Sequence, residues 1–172
     1  MAETGLSVKT GPEARAKVFA LVADAHIAMM ANLGEHGRWH ARPMATGKEP
    51  LDGALWFLTD ARSGKIEELE QEPTVLLAYS DEAAGRYVSI SGMASISREP
   101  GKVRALWSEA ARPWFPGGPD DPYLALIRVD IEEAEYWDAP SSAMVSLYGY
   151  AKAMWTDEKP DGDGEHGTVD FS

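Results

Sequence analysis

The sequence predicts a mainly β fold with flanking helices, its strands paired antiparallel and curling toward a barrel. Three observations carry this reading. Apolar or alternating runs of strand length outnumber the helical patterns between them. Several of those runs are joined by connections too short for a parallel crossover. At 172 residues, 44% of them hydrophobic, the chain can also bury one core of ordinary size. Rolling the sheet up removes edges that would otherwise pair with other chains.

The first element is a helix. Thr10-Gly11-Pro12-Glu13 suits a start with proline in the first turn, and Val18, Leu21 and Val22 follow at helical spacing toward Ala25. "HIAMMANLG" (26–34) is a short apolar strand, and "RWHARPMATG" (38–47) stays extended because the residue before Pro43 is held out of helical geometry. "GALWFLT" (53–59) is a nearly continuous apolar run, as in a strand covered on both faces. Ile66 and Leu69 set one side of a helix over 63–71, and "PTVLLAYS" (73–80) is a further strand.

In "RYVSISGMASIS" (86–97), Val88, Ile90, Gly92, Ala94 and Ile96 alternate with Ser89, Ser91, Met93, Ser95 and Ser97. Period two gives one apolar face and one small polar face, either simply solvated or shaped for something to lie against it. "EPGKVRALWSEAAR" (99–112) reads as a helix, and "RPWFPGGPDDP" (112–122), with four of the eleven prolines, as a rigid loop. "YLALIRVDI" and "EAEYWD" read as two strands across a turn at 130–133, and "SSAMVSLYGYAKAMW" (141–155) as an amphipathic helix. Residues 156–172 hold six acids, one lysine and three glycines, and are expected to form a disordered acidic tail. The expected division is a flexible stretch over 1–11, a domain over 12–155 and that tail.

Composition narrows the function. With 28 acids against 16 bases the net charge is −12, which repels nucleic acid and anionic membrane alike. It leaves room for a small anion held by a few local donors. Without cysteine there is no disulfide, no thiolate nucleophile and no Cys-ligated zinc. "MAETGLSVKTGPEAR" lacks the apolar centre of a signal peptide, and no apolar run reaches the ~18 residues of a membrane span. A cytoplasmic setting is the expectation.

Most chemical motifs are missing. There is no GxxxxGK[ST], no GxGxxG between a strand and a helix, and no GxSxG. His36 and His40 are four apart, but Gly37 and Pro43 oppose a helix there, so no metal site is expected. No carboxylate pair stands out, and no catalytic residue is assigned. What remains is "LTDARSGKIEEL" (58–69), a strand end at Thr59, a turn and a helix start. Arg62 and Lys65 sit where the helix dipole is positive, a position that costs a cation ~0.3–1 kcal/mol. Either both run into water or pair with Glu67, Glu68 or Glu70, or they serve an anion at the free amides, with Ser63 adding a hydroxyl. Arg42 reaches the same turn if its strand pairs with "LWFLT"; otherwise it is a surface cation.

These residues resemble the FMN-binding split-barrel superfamily typified by pyridoxamine 5′-phosphate oxidase, over roughly residues 12–140. The superfamily places an arginine on one strand, an aromatic-rich strand ending in threonine, and Ser-x-Lys opening a helix. Here these are Arg42, Trp56-Phe57-Leu58-Thr59 and Ser63-Gly64-Lys65. "YVSISGMASI", "LW" at 106–107 and "WFPGGPDDPYLALIRVDIEEAEYWD" look most like its general stress proteins. The resemblance implies a six- to seven-stranded antiparallel split β-barrel. It also implies FMN, with FAD as the other option, bound at a homodimer interface. Arg42, Ser63 and Lys65 would hold the phosphate. Thr59, Leu58 and the backbone at Pro43 and Met44 would line the ribityl chain and the ring.

The chain departs from the oxidase pattern at Tyr87, where that pattern has glutamine, and at Gly64, where it has arginine. It also lacks the oxidase's C-terminal arginine and histidine substrate motifs. A pocket for a phosphorylated substrate is therefore not expected. Three functions stay open: a flavin-binding stress protein with little catalysis of its own, an FMN-dependent oxidoreductase passing hydride between NAD(P)H and a small substrate, or a dimeric interaction module without flavin.

Overall fold

The computed structural model describes residues 8–47, 52–138 and 165–172. Eight strands and three α-helices are defined within them: β1 Val8–Lys9, α1 Pro12–Ala25, β2 Ile27–Leu33, β3 Trp39–Ala45, β4 Leu55–Asp60, α2 Gly64–Gln71, β5 Thr74–Asp81, β6 Arg86–Ser97, α3 Pro100–Leu106, β7 Leu124–Asp138 and β8 Glu165–Asp170. All strand pairs are antiparallel except β1 with β8. The sheet runs β1-β8-β7-β6-β5-β2-β3, and β4 joins the same edge of β7 as β8. A bridge from Thr46 at the end of β3 to Phe57 of β4 closes the ring β7-β6-β5-β2-β3-β4, giving a split barrel.

Period two along each strand decides what fills it. Ala28 and Met30 of β2, Val75, Leu77 and Tyr79 of β5, Val88 and Ile90 of β6, and Phe57, Ile127 and Val129 all turn into one core, where α1 adds Val18, Leu21 and Val22. β4 is covered on its other face too. There Trp56 meets Val103 of α3, Phe115 of the proline-rich loop, and Leu124 and Leu126 in a second cluster. This explains the unbroken apolar run of 53–59.

The outward residues of β6, β5, β2 and β3 form a different surface. Pro43, Met29, Ala78 and Ser89 stand side by side in one row across the strands, and Ala41, Ala31, Leu76 and Ser91 in the next. Met29 is 43% exposed and Leu76 41%. A broad, small-residue, largely apolar face therefore meets solvent.

Four expectations need correction. The region over 124–138 is one strand, not two across a turn; Gly92 of β6 lies opposite Ile131 and Ser91 opposite Glu133, so Glu132 is the extra residue of a bulge. The polar run is absorbed by that bulge instead of ending the strand. Gly92 allows it, because a Cβ there would collide with the Asp130 carbonyl. The helix over 99–112 stops at Leu106 and resumes as one 3₁₀ turn over Glu109–Ala111, where the Ser108 hydroxyl accepts from the Ala110 amide.

The tail also differs. Residues 156–164 and the helix expected at 141–155 lie outside the described residues, but Glu165–Asp170 is a strand on β7, with Val169 fully buried. Val8–Lys9, expected to be flexible, pairs with it. Lys9 donates to Glu165 and Tyr136, and Phe171 meets Phe19 edge-on at 5.9 Å. Glu165 is held down to about 2 by the hydrogen bonds from Lys9 and Tyr136.

Deleting residues 165–172 uncovers the core beside Val169 and strips β1 of its partner. Burial of one such side chain is worth ~1.5–3 kcal/mol, so the melting temperature in a thermal scan is expected to fall by roughly 5–10 °C. An unchanged melting temperature would show that β8 contributes nothing.

Candidate functional site

Where β3, the end of β4 and the start of α2 meet, five of the residues singled out in the sequence come together. His40, Arg42 and Met44 alternate onto the inner side of β3, at the barrel mouth. β4 ends by delivering Thr59, which is buried; the chain turns through Asp60–Ser63, and α2 begins. The Lys65 ammonium donates to Thr59 Oγ1 at 2.9 Å and sits 3.5 Å from Met44 Sδ. No carboxylate among the described residues is within ion-pair distance of it. Burial first, and then the nearby positive charge of Arg42, lower its pKa.

Ser63 precedes the helix with extended φ/ψ (−72°, 140°), the geometry of a capping residue. Its hydroxyl makes no cap bond, and Oγ is a buried oxygen with no partner among the described residues. An unpaired buried hydroxyl is costly, and here it stands beside amides at the helix start that have no intrahelical acceptor.

The two cations of the helix start part company. Arg62 forks onto Asp60, Nε to Oδ1 at 3.0 Å and Nη2 to Oδ2 at 2.7 Å, and its guanidinium lies 3.7 Å over the Tyr123 ring. The side-chain and backbone hydrogen bonds from Arg62 hold Asp60 down to about 2. This arrangement faces solvent and takes Arg62 out of the site. Lys65 turns inward.

Arg42 is gripped from behind. Nη1 donates to Asn32 Oδ1 at 2.9 Å and Nη2 to Glu68 Oε2 at 3.1 Å. Asn32 Nδ2 donates to the same carboxylate at 2.8 Å, and His40 Nδ1 lies 3.0 Å from Glu68 Oε1. The hydrogen bond from Asn32, then those from His40 and Arg42, lower the Glu68 pKa. Asn32 was not singled out from sequence, His40 was considered only as a metal ligand, and Glu68 only as a partner for Arg62 or Lys65. The available signal was Asn32, an amide at a buried-face position of an apolar strand, which must be paired inside.

Two expected residues stand apart by their side chains. Pro43 points out of the barrel onto the exposed face, and Leu58 packs on the second cluster beside Trp56. The backbone of 43–44 still borders the site. A phosphate fits this donor set: an orphan hydroxyl, a half-buried lysine without a carboxylate and free helix amides. Among the described residues no group of side chains could hold a metal ion, and no helix is long and apolar enough to cross a membrane.

Barrel, cations and helix start together define a split-barrel domain with Arg42 and Lys65 gathered at its mouth. The chain belongs to the pyridoxamine 5′-phosphate oxidase-like family, whose profile it matches over residues 13–161. Within it, the chain falls in the general stress protein 26 subgroup. It is 31% identical over 116 residues to general stress protein 26 of Bacillus subtilis, covering 66% of this chain and 81% of that one. A solved structure from Jannaschia sp., assigned as general stress protein 26, superposes with a TM-score of 0.69 at 28% identity, covering 92% of this chain and 99% of that one. The general stress FMN/FAD binding protein of Xanthomonas citri superposes with a TM-score of 0.63 at 31% identity, covering 73% of this chain and 89% of that one.

Asn32→Leu leaves Arg42 and Glu68 without their shared partner, and is expected to lower the unfolding free energy by ~1–3 kcal/mol at unchanged m-value in urea. Glu68 also sets a pH window. Its folded pKa lies below the ordinary 4.5, so its contribution is complete above that pH and is lost as pH falls through the folded value. The stability advantage of wild type over Glu68→Gln should therefore shrink as pH is taken from about 6 to about 3.

Proposed function

We propose that the chain is a flavin-binding cytoplasmic protein that holds the FMN phosphate between Arg42, Ser63, Lys65 and the first amides of α2. The observation that carries this is the unpartnered Ser63 hydroxyl beside an inward lysine with no carboxylate. Both are penalties in the free protein, and one dianion relieves both. Met44, Thr59 and the backbone of residues 43–44 line the way out of the phosphate position toward the ring. A relative of 31% identity is described as binding FMN or FAD, which supports the same cofactor here. Bound flavin supplies hydride exchange at N5; the chain's part is to bind and orient it, so no acid–base pair is required.

The same proposal includes a homodimer through the outer face of β6, β5, β2 and β3. Ile27, Met29, Leu76, Tyr87 and Met93 all stand exposed there, more than a monomer's surface ordinarily carries in one sheet face. The small side chains between them, Ala31, Ala78, Ser89 and Ser91, let a second sheet approach closely.

Fluorescence titration with FMN tests the site. Lys65→Ala and Arg42→Ala are each expected to weaken binding by about 1.5–3 kcal/mol, the scale of a charged hydrogen bond, while Arg62→Ala changes it little. Equal affinity in all three variants would remove the phosphate site. For the dimer, Met29→Lys with Ala78→Asp should give monomers by sedimentation velocity; a variant that remains dimeric would place the interface elsewhere.

A further inference from the structure

Glu68 does something the phosphate site does not need. It stands three residues beyond Lys65 on α2, one helical turn along, so both face β2 and β3. Its side chain is only 14% exposed, and its carboxylate takes donors from Asn32, His40 and Arg42. The guanidinium that the flavin reading assigns to a phosphate is thus already in contact with an anion of the chain itself. Counting Arg42, Lys65 and Glu68, the formal charge at the mouth is +1 instead of +2.

Resting on that reading, we propose that Glu68 is an internal counter-anion: its carboxylate caps Arg42 while the site is empty, and an entering phosphate must displace it. Asn32 makes the exchange possible. It holds Arg42 through Oδ1 and Glu68 through Nδ2, so the guanidinium keeps its position when the carboxylate leaves. There is room for the carboxylate to go. A cleft of about 170 Å³ that Glu68 lines together with Glu35, His40, Gly64, Glu67 and Gln71 adjoins the carboxylate. The apparent affinity for a phosphate is then the intrinsic affinity reduced by the fraction of molecules in which Arg42 is uncapped.

The experiment compares FMN, riboflavin and inorganic phosphate on wild type, Glu68→Gln, Glu67→Gln and Arg42→Ala. Glu68→Gln keeps the shape but removes the charge, and is expected to tighten FMN and phosphate about tenfold, equivalent to ~1.4 kcal/mol. Riboflavin, which has no phosphate, should be unaffected, as should Glu67→Gln, which removes the same charge one residue away without touching Arg42. A gain of affinity is a result that structural damage does not produce. Equal or weaker phosphate binding by Glu68→Gln overturns the proposal. If Arg42→Ala weakens FMN while Glu68→Gln changes nothing, the counter-anion alone fails. If Arg42→Ala binds FMN like wild type, the phosphate site fails and takes the counter-anion with it. A ¹³C NMR titration of Glu68 in the wild-type protein reads the same exchange without a variant. Saturating phosphate should raise its protonation midpoint, and a midpoint that stays or falls overturns the proposal.

Discussion

Strand β7 serves two partners along one edge, and the barrel depends on how it does so. β6 holds its other edge over residues 126–138, while β4 takes residues 124–129 and β8 takes 133–138. The bulge at Glu132 falls between these two stretches, and a bulge adds local twist. One continuous strand can therefore aim its first half at the closing barrel and its second half at the seam with β8. The site inherits its geometry from this arrangement. β4 is aligned by β7, and it is β4 that delivers Thr59 and the turn into α2. The Thr46–Phe57 bridge then fixes β3, and with it Arg42, relative to Lys65.

Three cations near that turn are handled in three ways. Arg62 is neutralised in solvent by Asp60 and rests on Tyr123; an exposed pair of this kind contributes little to stability. Arg42 is held inside by Asn32 and Glu68, an amide and a carboxylate that are themselves bonded to each other. Lys65 alone is left with a hydroxyl and a sulfur. The described residues thus leave a localised electrostatic deficit at this turn. Among the described residues, the carboxylates that form ion pairs do so with cations other than Lys65.

Much of this was legible in the sequence, and the reasons for the rest are physical. Strict alternation identified the two faces of β6, and the unbroken run before Thr59 identified a strand covered twice. Lys65 stood out, with Arg62, because a cation opposes the dipole at a helix start, while Ser63 and Arg42 entered as further donors that the same reading and the family resemblance brought to that turn. The bulge was hidden because a charged run inside a strand looks like a turn unless the partner's glycine is known to face it. β8 was hidden by composition. In "EHGTVDFS" the alternation of Gly167, Val169 and Phe171 was present, but acids and glycines around it gave the segment the character of a tail. Glu68 was hidden because helical periodicity assigns it to a solvated side, whereas the end of β2 brings a buried amide to meet it.

The pairing of β1 with β8 has a kinetic meaning. Val8 and Thr168 are opposite each other, so this ladder joins segments separated by nearly all of the described chain. During synthesis β1 leaves the ribosome long before its partner exists, and loop closure on that scale is entropically late. The barrel can assemble around α1 and β2–β7 in the meantime. The seam is then a latch that zips after the rest, and the edge of β7 beyond the bulge stays open to other strands until it does.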